Sequence, residues 1–382
     1  MATNNNNKAL NVPPLRFPEF NGEWEKCTIK DYGEVVTGNT PPTSNSEYYD
    51  NGSYLWASPA DLGISKNITE TKTKLSLSGF RKTRNIPKGS VLITCIGSTI
   101  GKMGMATETM SSNQQINSIV INDKSDSDFV YYAISRAFPR YLSEVGIQAV
   151  PILSKSNFEK LPNYTTCREE QDKIGYFLNL LDERIATQNK IIEDLKKLKS
   201  AIYQELFSNL QGEEKSLSEL AEITKGQQVN GNQLSENGKY YVMNGGIMPS
   251  GYYDDYNTEA GTISISEGGN SCGYVQYNKS KFWSGGHCYT LHIKPTARIS
   301  TLFLFHCLKW KEEDIMALRI GSGLPNIQKK DLSKVRIIVP TFDKQQQLIA
   351  LLSTLQMKIE YEEMYTINLD KQKLHLLSQM FI

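Results

Sequence analysis

The sequence predicts an α+β protein in which two globular domains, in a pseudo-two-fold arrangement, are joined and spaced by two long antiparallel coiled-coil helices. Three observations predict this fold class. Apolar residues recur in heptads over residues 168–210, as they do in coiled-coil helices. The same spacing returns over residues 348–380. A stretch that predicts short strands followed by a helix precedes each heptad segment, so the chain consists of two copies of one structural unit.

Composition and charge limit the class of protein. The 382 residues suffice for two or three domains, and no apolar run reaches the roughly 18 residues that would indicate a membrane helix. The six cysteines are scattered and the amino terminus lacks the features of a signal peptide, so we expect reduced thiols and a cytoplasmic location. The net charge of +1 does not by itself indicate nucleic-acid binding.

The first domain is expected over residues 12–165, after a disordered tail at residues 1–11. Three prolines within residues 12–20 exclude a regular helix there. Runs of β-branched and aromatic residues bounded by Gly, Pro or Asn predict strands, and a Ser-Asp-Ser sequence supplies helix-capping residues. The expected elements are strands at 54–58, 91–96 and 116–121 and a helix over about 128–144.

The first long helix is expected over residues 166–211. A helix of about 42 residues would be a rod of roughly 60 Å, and it cannot bury its apolar stripe alone, so we expect each long helix to bury the stripe of the other. Its seam is interrupted only by Gln188 and Lys199. The apolar seam residues are Ile174, Leu178, Leu181, Ile185, Ile192, Leu195, Ile202 and Leu206.

The second long helix, expected over residues 341–382, carries nearly the same seam. Adding 174 to the first set of numbers gives Leu348, Leu352, Leu355, Ile359, Thr366, Leu369, Leu376 and Met380. The interruptions also correspond, because Gln188 and Lys199 become Glu362 and Lys373. In an antiparallel pair Gln188 and Glu362 would meet near the middle, where a buried polar pair fixes the register at some cost in stability.

The second domain is expected over residues 212–340 and repeats the order of the first. Residues 29–38 align with 217–226, Gly89–Ile96 resembles Gly261–Gly268, and Pro151 returns as Pro325. The middle of each domain differs in sequence and length, whereas the flanks match. A duplicated scaffold with two dissimilar middles suits a protein that reads two different half-targets.

Motifs of catalytic sites are present only in part. Gly269–Gly273 fits the nucleophile elbow, but residues 274–277 predict a strand where that motif requires a helix. Residues 97–103 are one residue short of a phosphate loop and carry Met103 where Ser or Thr should hold magnesium. Residues 39–42 match the Asn-Pro-Pro-aromatic motif of amino-methyltransferases only loosely. We find neither a glycine-rich turn for S-adenosylmethionine nor a nuclease core, so the sequence predicts a non-catalytic chain.

One group of residues could suggest a metal site. It lacks a Cys-x-x-Cys pair, and its apolar neighbours favour buried packing over zinc binding. We therefore expect no metal site. The group consists of Cys272, His287, Cys288, His292, His306 and Cys307.

The segments that connect each domain to its helix share a pattern. The first reads Pro151…Phe158…Leu161-Pro162…Glu170-Gln171…Ile174, and the second reads Pro325…Leu332…Val335…Pro340…Gln345-Gln346…Leu348. Together with Leu15-Arg16-Phe17-Pro18 and Gly22-Glu23-Trp24, this arrangement resembles the specificity (S) subunit of a type I restriction-modification system over nearly the whole chain. The second segment departs from the first where Lys344 stands at the position of Glu170.

The resemblance implies a phage-defence protein that recognises DNA and has no catalytic residues of its own. Each globular domain would be a target-recognition domain that reads one half of a bipartite target in double-stranded DNA, and the helices would fix the gap and dock two modification (methyltransferase) subunits. S-adenosylmethionine, ATP and Mg would belong to the modification and restriction subunits, giving the complex adenine-N6 methyltransferase and ATP-dependent endonuclease activity. No membrane partner is implied. A coiled-coil scaffold or adaptor without sequence-specific DNA binding is the alternative.

Base reading requires side chains that present hydrogen-bond donors and acceptors on loops. Basic residues are concentrated between Asp61 and Ser90, a pattern that most often marks a solvated face. For each candidate the alternative is an ordinary exposed polar residue. The candidates are Thr40, Ser44, Tyr48, Lys72, Lys74, Arg81, Arg84, Ser98, Thr99, Lys102, Gln114 and Gln115 in the first domain, and Gln227, Gln228, Asn230, Asn244, Tyr252, Tyr253 and Asn270 in the second.

Overall fold

The structure, a computed structural model, describes residues 10–145, 152–321 and 323–382. Pro151 and most of the expected disordered tail at residues 1–11 lie outside the described residues. The chain divides into two compact units: unit 1 comprises Met1–Asn189 and Met364–Ile382, and unit 2 comprises Lys190–Glu363. Each unit contains one globular domain and a part of both long helices. The predicted domain boundaries stay predictions.

The globular part of unit 1 combines short strands with one long helix, as the sequence predicts. The strands expected at 54–58, 91–96 and 116–121 correspond to Tyr54–Ala57, Val91–Thr94 and Ile116–Ile121, and the expected helix corresponds to Ser127–Val145. The elements are β1 (Glu25–Thr28), α1 (Ile29–Tyr32), β2 (Gly33–Thr37), β3 (Tyr54–Ala57), β4 (Asn67–Ile68), β5 (Thr73–Leu75), α2 (Leu77–Phe80), β6 (Val91–Thr94), β7 (Met103–Ala106), β8 (Ser111–Ser112), β9 (Ile116–Ile121), α3 (Ser127–Val145), α4 (Lys155–Glu159) and β10 (Pro162–Thr165).

These strands form three sheets. Five strands are ordered β2-β9-β6-β7-β4, three are ordered β5-β3-β8, and β1 pairs with β10. Strand β6 lies in the middle of the largest sheet and is buried on both faces. Because side chains alternate along a strand, Val91 and Ile93 belong to the core that includes α3, whereas Leu92 packs in a second cluster with Leu55.

The first long helix, α5 (Arg168–Ser208), has 41 residues. Its first turn carries Glu169 and Glu170, whose negative charges are favourable at a helix amino terminus. Gln171 donates from Nε2 to the Thr166 carbonyl at 2.7 Å, and Arg16 forms an ion pair with Glu170 at 2.7 Å. The start of α5 is thereby attached to the first domain.

Unit 2 repeats the order of most elements in unit 1, but β4 and α2 have no counterpart there. Residues 274–277, where the sequence predicts a strand, overlap the strand Val275–Asn278. The elements are β11 (Glu213–Ser216), α6 (Leu217–Leu220), β12 (Ala221–Lys225), β13 (Tyr240–Met243), β14 (Tyr252–Tyr253), β15 (Thr262–Ser266), β16 (Val275–Asn278), β17 (Trp283–Ser284), β18 (Cys288–Ile293), α7 (Thr301–Trp310), α8 (Glu312–Ala317), α9 (Lys329–Leu332) and β19 (Arg336–Val339).

The sheets of unit 2 have the same topology as those of unit 1. The four-stranded order β12-β18-β15-β16 corresponds to β2-β9-β6-β7, and β14-β13-β17 corresponds to β5-β3-β8. The pair β11-β19 corresponds to β1-β10. Only β4, among the described strands, has no counterpart. The duplication predicted from the sequence is therefore present in the strand pairing.

The second long helix, α10 (Phe342–Met380), runs antiparallel to α5 within each unit. In unit 1, Lys373 pairs with Asp182, and Arg184 donates to the Tyr365 hydroxyl at 3.3 Å. In unit 2, α5 and α10 are joined by an ion pair between Lys196 and Glu363 at 2.6 Å and by a hydrogen bond from Lys199 to Gln356 at 2.6 Å. Residue numbers rise along α5 while they fall along α10, as the predicted antiparallel pairing requires.

The predicted seam is buried or half-buried along both helices. The buried members are Ile174, Leu178, Gln188, Ile192, Leu348, Leu352, Ile359, Glu362, Thr366, Leu369 and Met380, and the half-buried members are Leu181, Ile185, Leu195, Lys199, Ile202, Leu206, Leu355, Lys373 and Leu376. The meeting of Gln188 with Glu362 stays a prediction. No helix among the described residues is long and apolar enough to cross a membrane.

The end of α10 completes the core of unit 1. Phe381 packs against Trp24 and Phe129, with ring centroids 6.0 Å and 5.4 Å away. The Leu15 amide donates to the Gln379 carbonyl at 2.9 Å. Residues at the two extremes of the sequence thus share one hydrophobic core.

Candidate nucleic-acid interface

In the first domain, three loops meet at the edge of the sheet where β2 and β6 end and β9 begins. Thr40 donates from Oγ1 to Gln114 Oε1 at 2.6 Å. Gln115 donates from Nε2 to the Ile96 carbonyl at 3.4 Å, next to the turn that carries Ser98, Thr99 and Lys102. We call residues 37–40, 96–102 and 113–115 the first loop edge. It brings together six of the predicted base-reading residues: Thr40, Ser98, Thr99, Lys102, Gln114 and Gln115.

Arg84 is attached to the same edge. Its backbone amide donates to Asn39 Oδ1 at 2.8 Å, and its NH1 group donates to the Thr37 carbonyl at 2.8 Å. A guanidinium has five N–H donors, so this bond holds the group in place while the rest of the fork stays available. The Arg84 side chain is exposed, as a phosphate or base contact requires.

The remaining candidates of the first domain lie elsewhere. Among the described residues, no hydrogen bond or ion pair joins Ser44, Tyr48, Lys72, Lys74 or Arg81 to the first loop edge. Lys74 forms an exposed ion pair with Glu70 at 2.8 Å, and the Lys72 amide donates to Asp61 Oδ1 at 2.9 Å. Lys72 and Arg81 are exposed cations.

One member of the basic stretch between Asp61 and Ser90 is buried. The Lys66 ammonium lies 2.5 Å from Asp128 Oδ1 and donates to Asn179 Oδ1 at 2.7 Å, and its side chain is only 6% exposed. It also donates to the Tyr132 hydroxyl at 3.1 Å, which in turn donates to Asp182. Burial raises the pKa of Tyr132 well above its ordinary value. Lys66 therefore connects the segment before β4 to α3 of the same domain and to α5.

The second domain has a concave site at the corresponding edge of its sheet. A cavity of about 510 Å³ is lined by Lys225, Asn244, Glu267, Gly268, His287 and Asn326, among others. We call this the loop cavity. Glu267 accepts a hydrogen bond from Lys225 Nζ at 2.6 Å on Oε1, and its Oε2 lies 3.6 Å from His287 Nδ1. Asn244 Oδ1 accepts from the His287 amide at 3.1 Å.

The other candidates of the second domain surround this site or lie on neighbouring strands. Gln227 and Gln228 follow β12, and the Gln227 carbonyl accepts from Trp283 Nε1 at 2.9 Å. Tyr253 packs edge-on against Trp283 with a centroid distance of 5.0 Å. Asn230, Tyr252 and Asn270 are exposed, and Asn270 lies in the turn between β15 and β16.

Three ionisable residues that line the loop cavity were not predicted from the sequence as base-reading residues. Asn244 was predicted, but Lys225, Glu267 and His287 were not, and His287 was considered only as a metal ligand. The signal that could have identified His287 is the alignment of the turn at Gly97–Gly101 with the turn at Gly269–Gly273. In that alignment His287 takes the position that the predicted Gln115 has in the first domain.

The cysteines and histidines of the possible metal group do not converge on one point. Within the described parts of the chain, no group of three or more His, Cys, Asp or Glu side chains is placed to hold a metal ion. Cys272, Cys288 and Cys307 are buried, whereas His287 and His292 are exposed. Burial raises the pKa of the Cys288 thiol to about 11, which favours an inert thiol over a reactive one.

Comparison with known proteins gives one family for both halves of the chain. The family model described as the type I restriction modification DNA specificity domain matches residues 21–197 and again residues 210–369. Two curated relatives are a putative type I specificity subunit of Mycoplasma pneumoniae and the specificity subunit of the type I restriction enzyme MjaIX of Methanocaldococcus jannaschii. The first is 34% identical over 157 residues, covering 41% of this chain and 42% of the relative. The second is 32% identical over 197 residues, covering 48% and 44%.

Those alignments span less than half the length of each relative, whereas similar solved structures cover almost the whole chain. The crystal structure of a type I restriction-modification S subunit from M. genitalium matches with a TM-score of 0.67 at 21% identity, covering 97% of this chain and 99% of that one. A chain from a study of assembly and conformational transition in a type I restriction-modification system matches with a TM-score of 0.61 at 15% identity, covering 96% and 99%. At these identities the likeness concerns the fold.

Proposed function

Since this chain belongs to the family defined by the type I restriction modification DNA specificity domain, we propose that it is the sequence-specific DNA-binding subunit of a type I restriction-modification complex. The observation that carries the proposal is the duplicated sheet topology with different polar side chains at the same edge of each sheet. Each domain would read one half of a bipartite target from that edge. Two halves read by two different sets of side chains would give an asymmetric target.

The first loop edge supplies groups suited to the major groove. Glutamine presents a donor and an acceptor together, which matches adenine, and arginine matches guanine. Gln114 and Gln115 belong to this edge, Arg84 is attached to it, and Lys102 is an exposed cation in its turn. Base contacts would come from the glutamines and Arg84, while Lys102 would neutralise phosphate.

The charge of the chain limits what it does alone. Backbone affinity grows with the number of phosphates that a protein neutralises, and a chain with a net charge of +1 offers few uncompensated cations. We expect weak, salt-sensitive binding by the isolated chain and much tighter binding when two modification subunits complete the DNA-binding surface. Mobility-shift titrations with and without those subunits measure the difference. Equal affinity in both would exclude this division of labour.

The long helices would fix the gap between the half-targets and dock the modification subunits. Support comes from apolar side chains that remain exposed after the helices pair, since such surfaces mark protein interaction sites. On α5 they are Tyr176, Phe177, Leu180, Ile191 and Leu198, and on α10 they include Leu351, Met357, Tyr361, Met364 and Ile367.

Catalysis would belong to the partners. The modification subunits would bind S-adenosylmethionine and methylate adenine at N6, and the restriction subunits would use ATP and Mg to translocate and cleave DNA. This chain would direct those activities to one target. The cytoplasm, where chromosomal DNA and both cosubstrates are present in a bacterium, is the proposed location.

Sequencing that detects methylated adenine in the DNA of a host tests the proposal. A host that expresses this chain with its modification subunit should carry methylation at one bipartite motif with a constant gap. A host with the modification subunit alone is the control and should lack that motif. Methylation without any bipartite motif would instead favour the scaffold or adaptor.

A further inference from the structure

The turn that follows the central strand has the same backbone in both domains. In the first domain the Gly101 amide donates to the Thr94 carbonyl at 2.9 Å, and in the second the Gly273 amide donates to the Ser266 carbonyl at 2.8 Å. Gly101 and Gly273 have φ angles of 89° and 94°, values that favour glycine. Side chains at corresponding positions of the two turns can therefore be compared directly.

This correspondence identifies a pair of residues on the neighbouring strand. The Cys95 amide donates to the Gln115 carbonyl at 2.8 Å, and the Glu267 amide donates to the His287 carbonyl at 2.9 Å. Gln115 and His287 each directly precede the strand that pairs with the central strand. His287 thus occupies, in the second domain, the position of a glutamine expected to read a base in the first.

The side chain of His287 faces a carboxylate on one side and is otherwise exposed. Its Nδ1 lies 3.6 Å from Glu267 Oε2, an atom that is buried and has no hydrogen-bond partner among the described residues. Glu267 itself is fixed by Lys225 at 2.6 Å and by the Tyr289 hydroxyl at 3.2 Å, both on Oε1. The His287 side chain is 63% exposed, and no hydrogen bond to its Nε2 occurs in the described part of the chain. The ring therefore faces a carboxylate oxygen at Nδ1, just beyond hydrogen-bond distance, and is open at Nε2.

We propose that His287 reads a base in the second half-target and that Glu267 is its positioning residue. A carboxylate beside Nδ1 selects the tautomer that carries its hydrogen there, which leaves Nε2 as an acceptor. The group it recognises is then an exocyclic amine at the major-groove edge, cytosine N4 or adenine N6. This inference rests on the proposed function and names the chemistry of one contact within it.

The difference between the domains has a simple chemical meaning. The Gln115 amide donates to the Ile96 carbonyl at 3.4 Å and accepts from Asn113 Nδ2 at 3.1 Å, which leaves it one further N–H donor and one further lone pair. His287 with its hydrogen on Nδ1 presents only an acceptor at Nε2. The residue whose amide bonds to the carbonyl of this position is the buried Cys95 in the first domain and Glu267 in the second. The position therefore combines a shared backbone with a different recognition chemistry in each domain, as two unequal half-targets require.

Selection from a library of randomised duplexes tests the assignment, using the complex of the full chain with its modification subunits. His287→Ala should reduce discrimination at one base pair of the second half-target by roughly 2- to 12-fold, as expected for the loss of one hydrogen bond, leaving the first half-target unchanged. Gln115→Ala is the matched variant and should act only on the first half-target. His292→Ala, which removes an exposed histidine farther along β18, should change neither.

Two further measurements separate a base contact from a structural role. Removing the exocyclic amine of the base at that position should weaken binding by the unmodified chain but not by the His287→Ala variant. Glu267→Ala should broaden the preference at the same single base pair, and Glu267→Gln should restore much of it because the amide oxygen still accepts from Nδ1–H. Binding to random duplex at low salt should stay constant throughout.

The possible failures are distinguishable. If the unmodified complex selects no bipartite target, the proposed function fails. If it selects one and His287→Ala leaves every position unchanged, the role of His287 is wrong. If His287→Ala relaxes one position but loss of the amine has no effect on the unmodified chain, the acceptor chemistry is wrong.

Discussion

Truncation of Phe381 to alanine should destabilise unit 1 selectively. The side chain is 4% exposed and packs against the rings of Trp24 and Phe129. Replacing a buried phenylalanine by alanine costs about 3–5 kcal/mol. Phe381 lies just beyond the end of α10, where its surroundings can relax into part of the cavity, so we expect about 3 kcal/mol, near the lower limit of that range.

Amide hydrogen exchange measured by mass spectrometry can assign this loss to one unit, because it reports opening segment by segment. A loss of 3 kcal/mol corresponds to exchange faster by about a hundredfold in segments that open with the unit 1 core, such as β9 and α3. Segments of β15 and β18 in unit 2 should keep their rates. Leu374→Ala is the matched control, since Leu374 lies near the end of α10 but is 67% exposed, and its effect should stay within about 0.5 kcal/mol.

Two results would refute this reasoning. A cost below about 1 kcal/mol would mean that Phe381 is not part of the unit 1 core, because that value is typical of a surface or half-exposed site. Equal acceleration in β15 and β18 would mean that the two units do not open independently.

Three other predictions concern single side chains. Lys66→Ala should lower the free energy of unfolding by about 3 kcal/mol, because breaking a buried ion pair costs roughly 3–5 kcal/mol and Asp128 retains partial exposure. Urea denaturation measures this loss. A loss no larger than that of Lys72→Ala, which removes an exposed lysine, would contradict the prediction. Burial lowers the pKa of His306 to about 4, so between pH 6.5 and 4 the unfolded chain binds a proton at this histidine more readily than the folded chain does. The free energy of unfolding should therefore fall as the pH drops from 6.5 towards 4, by up to about 3 kcal/mol. His306→Gln should flatten that dependence between pH 6.5 and 5, and an unchanged slope would exclude His306 as its source. Arg84→Ala should weaken the complex with the native target by about 1–3 kcal/mol in a mobility-shift titration, and unchanged affinity and methylation would remove Arg84 from the interface.

The fold could be predicted largely from local patterns. Heptad spacing identified α5 and α10, and their repeated interruptions identified the duplication, because both signals depend on residues near one another in sequence. The short strands β4, β5, β8, β14 and β17 were not identified. Strands of two or three residues are too short to show an alternating pattern, and they form only because neighbouring strands offer partners.

The candidate site was only partly predictable. Gln114, Gln115 and Thr40 were identified because polar residues beside a predicted strand fall on loops, and the structure places them together. The burial of Lys66 could not be predicted from the sequence, because it depends on contacts with Asp128 of α3 and Asn179 of α5. Such long-range contacts decide which lysine of a basic stretch faces solvent, and composition carries no information about them.

The packing of Phe381 on Trp24 also constrains how the protein is made. On the ribosome, residues 24 and 129 emerge well before residue 381, and at about 5–20 residues per second the first domain waits tens of seconds for its last aromatic partner. During that interval its apolar surface is available to chaperones. A chain whose translation stops early never covers that surface, so interrupted products are open to degradation, and only chains that reach Phe381 complete the core of the first domain.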